Sequence, residues 1–264
     1  MAPQVILIRH AQGQHNVSAE HLHTQDPRLT ELGLQQCDIL RTNTFTDQST
    51  ISLVTASPLT RTVNTAARIF GPALTDNSLK CQKRIIVISD AQETSDYPCD
   101  TGSDLESLRL RCHEEKWPVD LSSLQPDWHI KKGRNVPTPK AIRARAQSAR
   151  QQLRTLLREI VIQGDEDAQI VLVTHGGYLH YFTEDWEDAN KLHGTGWHNC
   201  EVRRYEFETG VDGKDEDAAL RETAASRTNR GKTGAPWTKE QQIKEFDATH
   251  PGWEEPETEA NARM

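Results

Sequence analysis

The chain of 264 residues is 35% hydrophobic and 27% charged, with 31 basic against 39 acidic side chains and a formal net charge of -8. That length suits one α/β domain or two small ones. The negative balance excludes a global field that would gather nucleic acid or anionic lipid, so any anion has to be met by a local group of residues. The longest aliphatic runs, Val5 to Ile8, Ile85 to Ile88 and Ile170 to Val173, fall far short of the roughly 20 residues that cross a bilayer. The N-terminus enters the first run without the basic region and longer apolar stretch of a secretory leader. The expectation is a cytoplasmic protein with neither a membrane nor a nucleic-acid partner. Five cysteines, Cys37, Cys81, Cys99, Cys112 and Cys200, are odd in number and lack a C-x-x-C spacing, which reads as free thiols.

In chain order, Val5 to Ile8 is apolar at successive positions, as for a strand buried on both faces. Thr30 is the expected N-cap of a helix beginning at Glu31, with Leu32, Leu34, Ile39 and Leu40 in a roughly helical rhythm. A second strand spans Ser52 to Thr55. Ser57-Pro58 is expected to open a helix with proline in its first turn, running through Arg61 and Thr65 to Ile69 and stopping at Gly71-Pro72. A third strand covers Ile85 to Ile88. Residues 93–137, with prolines, two tryptophans and weak periodicity, read as a lid-like excursion over the sheet. The longest helical stretch is Lys140 to Gln163, where Ile142, Ala146, Ala149, Leu153, Leu156, Leu157 and Ile160 keep a three-or-four spacing. It leads into a strand from Ile170 to Thr174.

Strands alternating with helices imply βαβ units, hence an α/β fold: a three-layer α/β/α sandwich around a mainly parallel sheet, with ligands beyond the carboxyl ends of the strands. The expected organisation is an α/β domain over 1–212, containing the 93–137 excursion, and a charged C-terminal arm over 213–264, partly packed or mobile. Leu220, Trp237, Ile243, Phe246, Trp253 and Met264 are the arm's few large apolar residues.

Chemistry concentrates at three strand ends. The first ends in Arg9-His10-Ala11-Gln12-Gly13-Gln14-His15-Asn16; the second in Ala56-Ser57-Pro58-Leu59-Thr60-Arg61-Thr62; the last in Thr174-His175-Gly176-Gly177. Parallel topology would bring two histidines and two arginines to one rim, with Arg61 in the first turn of a helix whose free N–H groups favour anions. Metal binding is the chemical rival, through His10 with His15, His21 with His23, or His193 with His198. The arginines at the same strand ends and the lack of H-E-x-x-H or Cys/His spacing weigh against it.

Together these motifs resemble the histidine phosphatase superfamily, in its phosphoglycerate-mutase-like branch of fungal and plant type, over residues 4–205. Arg9, His10 and Asn16 match the R-H-G opening and its following asparagine, with Ala11 in place of the usual glycine. Ser57, Pro58, Leu59, Arg61, Thr62, Thr65 and Ala66 match S-P-L-x-R-T-x-x-T-A, and Thr174 to Gly177 match T-H-G-G.

The resemblance implies a metal-independent phosphomonoester hydrolase that works without a cofactor on a small phosphorylated molecule. His10 would be the nucleophile that forms a phosphohistidine. Arg9, Arg61 and His175 would surround the phosphoryl oxygens. Asn16, Gln12, Gly13, Ser57, Gly176 and Thr101 would complete the phosphate and substrate contacts. The acid that protonates the leaving oxygen would be Glu93, following the third strand in an element like the family's L-Q-E, with Asp90 and Asp96 as competitors.

Mutases of the superfamily open R-H-G-E-S-x-W-N, so Gln12 and His15 depart from them, at the acidic and the tryptophan positions respectively. A phosphoglycerate mutase-type phosphotransferase is the alternative activity. A repurposed or non-catalytic phosphate pocket is the second alternative. Within the excursion, Arg109, Arg111, His113, Lys116, Lys131, Lys132 and Arg134 form either a solvated face or a site for a second anionic group. Trp117 and Trp128 either floor a substrate or anchor the loop.

Overall fold

The structure is a computed structural model that describes residues 2–191 and 196–249. His193, Trp253 and Met264 lie outside the described residues.

A seven-stranded sheet has the order β4-β3-β2-β5-β1-β6-β7. Its strands are β1 (Gln4–Arg9), β2 (Ile51–Ala56), β3 (Ile85–Val87), β4 (Val119–Asp120), β5 (Gln169–Thr174), β6 (Val202–Phe207) and β7 (Leu220–Glu222). The strands from β4 to β1 run parallel, and β6 and β7 are added antiparallel. The helices are α1 (Glu31–Asn43), α2 (Thr60–Ile69), α3 (Gly71–Thr75), α4 (Leu105–Glu114), α5 (Pro139–Ile162), α6 (Gly176–Thr183), α7 (Ala224–Asn229) and α8 (Lys239–Thr249).

The apolar runs of β1 and β5 serve both faces because alternate residues point to opposite sides. Val5, Leu7, Ile170 and Leu172 enter a core with Ile142, Ala146, Ala149, Leu153 and Leu157 of α5 and with Tyr178 and Phe182 of α6. Ile6, Ile8, Val171 and Val173 enter a second core with Cys37 of α1 and with Ala66 and Ile69 of α2. This is the expected three-layer sandwich.

Two helix boundaries differ from expectation. The second helix begins at Thr60, with Leu59 extended at φ -67 and ψ 143, because the carboxylate of Asp26 accepts the Thr60 N–H at 2.8 Å and the Thr60 hydroxyl at 2.7 Å. The helix N-terminus expected to receive an external anion is thus already held by a buried internal one. Gly71-Pro72 also starts the short α3, since proline is well accommodated in a first turn.

The excursion contains a helix that its weak overall periodicity concealed. Asp104 caps α4 by accepting from the N–H groups of Glu106 and Ser107, and Leu108 and Cys112 are its buried face. They join Leu59, Val63, Val87, Leu124 and Trp128 in a third apolar cluster, so Trp128 anchors the excursion. The indole packs so closely that a Cβ on Gly102 would lie 2.0 Å from it.

Residues 213–249 add an edge strand and a dense set of ion pairs. β7 pairs with β6. Arg230 meets Glu222 at 2.8 Å and Asp185 at 3.3 Å, Arg227 meets Glu187 at 3.3 Å, and Lys232 meets Glu187 at 2.8 Å and Asp188 at 2.7 Å. Phe246 of α8 packs against Trp186 at 4.8 Å between ring centroids and beneath the Arg143 guanidinium.

Candidate active site

Because β1, β5 and β2 are parallel neighbours, their carboxyl ends emerge together. Arg9 is in register with Thr174. The His10 N–H donates to the Thr174 carbonyl and the Ser57 N–H to the Val173 carbonyl, both at 2.9 Å. Strand pairing alone therefore assembles Arg9, His10, Ser57 and His175.

His10 is 1% exposed. Its Nδ1 lies 2.7 Å from the Ala11 carbonyl oxygen, which can only accept, so Nδ1 carries the proton. Nε2 is then a lone pair, and it accepts from Arg61 Nε–H at 3.3 Å. Burial, then the positive charges of Arg61 and Arg9, push His10 well below the usual imidazole range, so the ring is neutral. His175 is lowered in the same way by burial and Arg61. Its ring lies 5.3 Å from that of His10, its Nε2 is 2.9 Å from Ser57 Oγ, and its buried Nδ1 has no hydrogen-bond partner among the described residues.

Arg61 is completely buried. Besides the bond to His10, its Nη1 donates to the Cys99 carbonyl at 2.5 Å and its Nη2 to Asp100 Oδ1 at 3.0 Å. Arg9 donates through Nη1 to the Trp197 carbonyl at 2.5 Å.

Glu93 accepts the N–H groups of Thr94 and Tyr178 on Oε1, each at 2.9 Å, which ties it to the first turn of α6. Burial and the Asp100 carboxylate push Glu93 above the ordinary carboxylate range, against lesser opposing effects of Arg61, the Thr94 N–H and Arg9. Gly177 permits this approach: a Cβ there would sit 2.9 Å from Glu93 Oε1. The competitors are placed otherwise, with Asp90 paired to Arg134 at 2.6 Å and Asp96 exposed.

The remaining expected contacts divide. Gly176 opens α6 directly after His175. Gln12 has its side chain bonded to the Thr30 hydroxyl at 2.7 Å, and its backbone lies so close to α1 that a Cβ on Gly33 would fall 2.1 Å from its carbonyl. These contacts shape the loop. Gly13 N–H donates to Asn16 Oδ1 at 3.0 Å, which leaves Asn16 Nδ2 on the exposed side. Thr101 has its hydroxyl on the Tyr97 carbonyl at 3.1 Å. Of the excursion's basic residues, Arg109 pairs with Glu106 and Arg111 with Asp26. Lys131 instead donates to the Glu93 carbonyl at 3.2 Å, and burial with the nearby Arg145 pushes it down to about 8.

Sequence reasoning passed over several groups. His15 was weighed only as a metal ligand; its ring lies 5.4 Å from His10, and burial with Arg61 and Arg9 pushes it down to about 2. Asn199 holds the His10 carbonyl at 2.9 Å from a loop far along the chain. Asp100 is the carboxylate partner of Arg61. Asp100 and His15 directly neighbour residues that the resemblance pointed to, Thr101 and Asn16. The rival metal pair His21 and His23 lies on an exposed turn.

Fold and site together resemble an enzyme of the histidine phosphatase type: a buried, neutral imidazole bonded to Arg61 and beside a second histidine, at the carboxyl end of a mainly parallel sheet. Residues 5–80 match the family model described as Histidine phosphatase superfamily (branch 1). The chain is 26% identical over 245 residues to a phosphoglycerate mutase-like protein of Arabidopsis thaliana, covering 75% of this chain and 81% of that one. It is 27% identical over 234 residues to phosphoglycerate mutase-like protein 1 of the same plant, covering 75% and 79%. Among solved structures, the ecdysone phosphate phosphatase of Bombix mori shares the fold with a TM-score of 0.51 and 16% identity, over 84% of this chain and 92% of that one. The chain is thus similar to the histidine phosphatase superfamily over residues 5–80 and to phosphoglycerate mutase-like proteins over three quarters of its length.

Proposed function

We propose that the protein is a metal-independent phosphomonoester hydrolase that works through a phosphohistidine on His10. The observation that carries this reading is the Nδ1 bond to the Ala11 carbonyl, which leaves Nε2 as a buried lone pair beside Arg61. Nε2 attacks phosphorus as the ester P–O bond breaks, and the leaving oxygen takes the proton held by Glu93. The Glu93 carboxylate then takes a proton from water, whose oxygen attacks the phosphohistidine. Inorganic phosphate leaves, and His10 returns to its neutral form.

Arg61 releases its Nε–H from His10 to a phosphoryl oxygen as the N–P bond forms. Arg9 adds a second fixed positive charge, and the unpartnered His175 Nδ1 supplies a donor when Ser57 donates to Nε2. These groups provide the charge stabilisation that a metal ion supplies elsewhere. Residues 93–137 supply Glu93 and Lys131, joined by the hydrogen bond from Lys131 to the Glu93 carbonyl, so we assign substrate selection to this excursion.

The test is release of inorganic phosphate from a panel of phosphomonoesters with chelator present, comparing the parent with His10→Ala. Release by the parent alone is the expected result. Full residual activity in His10→Ala overturns the mechanism, and interconversion of monophosphoglycerates without phosphate release assigns the mutase activity instead.

A further inference from the structure

Asp100 is an unusual occupant of a pocket meant for an anion, and its contacts give it a definite task. Its Oδ1 accepts from Arg61 Nη2 at 3.0 Å, and its Oδ2 accepts from the Ser95 hydroxyl at 2.6 Å, which fixes the carboxylate. The adjacent Cys99 carbonyl takes Arg61 Nη1 at 2.5 Å. Two consecutive residues of the excursion thus grip the far end of the guanidinium. Its near edge, Nε–H, is left against the lone pair of His10 at 3.3 Å. An arginine has five N–H donors in a rigid fork. The grip uses one on each terminal nitrogen and leaves Nε–H and the second hydrogen of each for an incoming phosphoryl group.

We propose that Asp100 is a positioning residue for phosphoryl transfer, which aims Arg61 at the oxygens beside His10 and sets the negative charge next to Glu93. This rests on the reading of His10, Arg61 and Glu93 as the reacting groups. The groups that face Glu93 are Asp100, Arg61, Arg9, Lys131, Arg145, Cys99 and Tyr181. Arg9, Arg61, Lys131 and Arg145 favour its ionised form, and the Asp100 carboxylate opposes them. Removing that charge exposes Glu93 to an uncompensated Arg61, so both consequences draw the proton off Glu93 in the same direction.

The experiment compares parent, Asp100→Asn and Asp100→Ala. Asparagine keeps an acceptor for Arg61 and removes the charge; alanine removes both. The Glu93 carboxyl is followed by carbon NMR in protein labelled at glutamate side-chain carboxyls, assigned with Glu93→Gln. Its midpoint should fall by about one pH unit in Asp100→Asn, and an unchanged midpoint overturns the proposal whether or not the protein turns anything over.

Kinetics supply the second arm. With an alkyl ester such as glycerol phosphate, whose leaving oxygen needs a proton, the alkaline limb of kcat/KM should move to lower pH in Asp100→Asn. With p-nitrophenyl phosphate, whose leaving group does not, the limb should stay. Asp100→Ala should raise the inhibition constant for inorganic phosphate about tenfold, and Asp100→Asn should restore most of that loss. Equal weakening in both variants overturns the positioning of Arg61. A moved NMR midpoint in a parent that releases no phosphate overturns the hydrolase reading while the coupling of Asp100 to Glu93 stands.

Discussion

Two buried clusters of basic side chains invite comparison. Around the C-terminal segment, Arg227, Arg230 and Lys232 are matched by Asp185, Glu187, Asp188 and Glu222 in direct ion pairs. At the strand ends, Arg9, Arg61 and Lys131 share Glu93 and Asp100, and Glu93 is pushed toward its protonated form. Three imidazoles complete that second group, each held neutral by burial and by Arg61, with Arg9 adding to the effect on His10 and His15. The first cluster is closed electrostatically and holds chain segments together. The second gathers arginines around neutral imidazoles, and on the proposed reading a phosphoryl group binds there.

The same substitution should therefore do different work in the two places. The largest effect is expected at Glu93→Gln, which should lower kcat for an alkyl phosphomonoester by about 10²–10⁴-fold with the melting temperature little changed. Arg61→Ala should follow with about 10²–10³-fold in kcat, read in the same assay. Arg230→Ala should leave kcat near the parent value and cost about 1.5–3 kcal/mol, because it removes the nearest charged partner of Glu222; urea unfolding measures this. An Arg230→Ala protein with parental stability would dissolve the distinction between the clusters.

The smallest and most diagnostic effect concerns pH. His10, His15 and His175 stay neutral in the folded state, whereas in the unfolded chain each binds a proton below about 6.5. The unfolded state then holds more protons, so stability falls as pH drops below that value, by up to about 1.4 kcal/mol per pH unit for each histidine. Glu93 acts oppositely. Its folded form keeps a proton that the unfolded chain releases above about 4.5, so its contribution is lost as pH rises through that window. Stability measured in phosphate-free buffer should decline on acidification with a net slope of about two protons. Saturating phosphate should shift the curve, since only the folded pocket binds it.

Much of this was legible in the sequence because strands buried on both faces are written as continuous apolar runs. Val5 to Ile8 and Ile170 to Val173 announced β1 and β5, and the polar residues directly after them had to emerge at a common rim if the strands were parallel. The α4 helix was not read, although Asp104 stands as its cap and Leu108 and Cys112 keep helical spacing, because the prolines and tryptophans around it masked the period. β6 was signalled by the alternation of Arg203, Tyr205 and Phe207 with less buried neighbours, a weaker pattern because an arginine holds one inward position. The start of α2 could not be read locally, because Asp26, which fixes it, lies 34 residues away.

The sequence by itself determined the buried strands of the core, the residue types at three strand ends and the place of His10 among them, since each follows from the pattern of a few neighbouring residues. Only the tertiary structure decided the protonation pattern and the partners of the charges. The tautomer of His10, the clamp of Cys99 and Asp100 on Arg61, the brace from Asn199 and the entry of Lys131 beside Glu93 all depend on distances between segments far apart in the chain. Burial and Coulomb interactions act through space, and sequence separation carries no information about them until the sheet has closed.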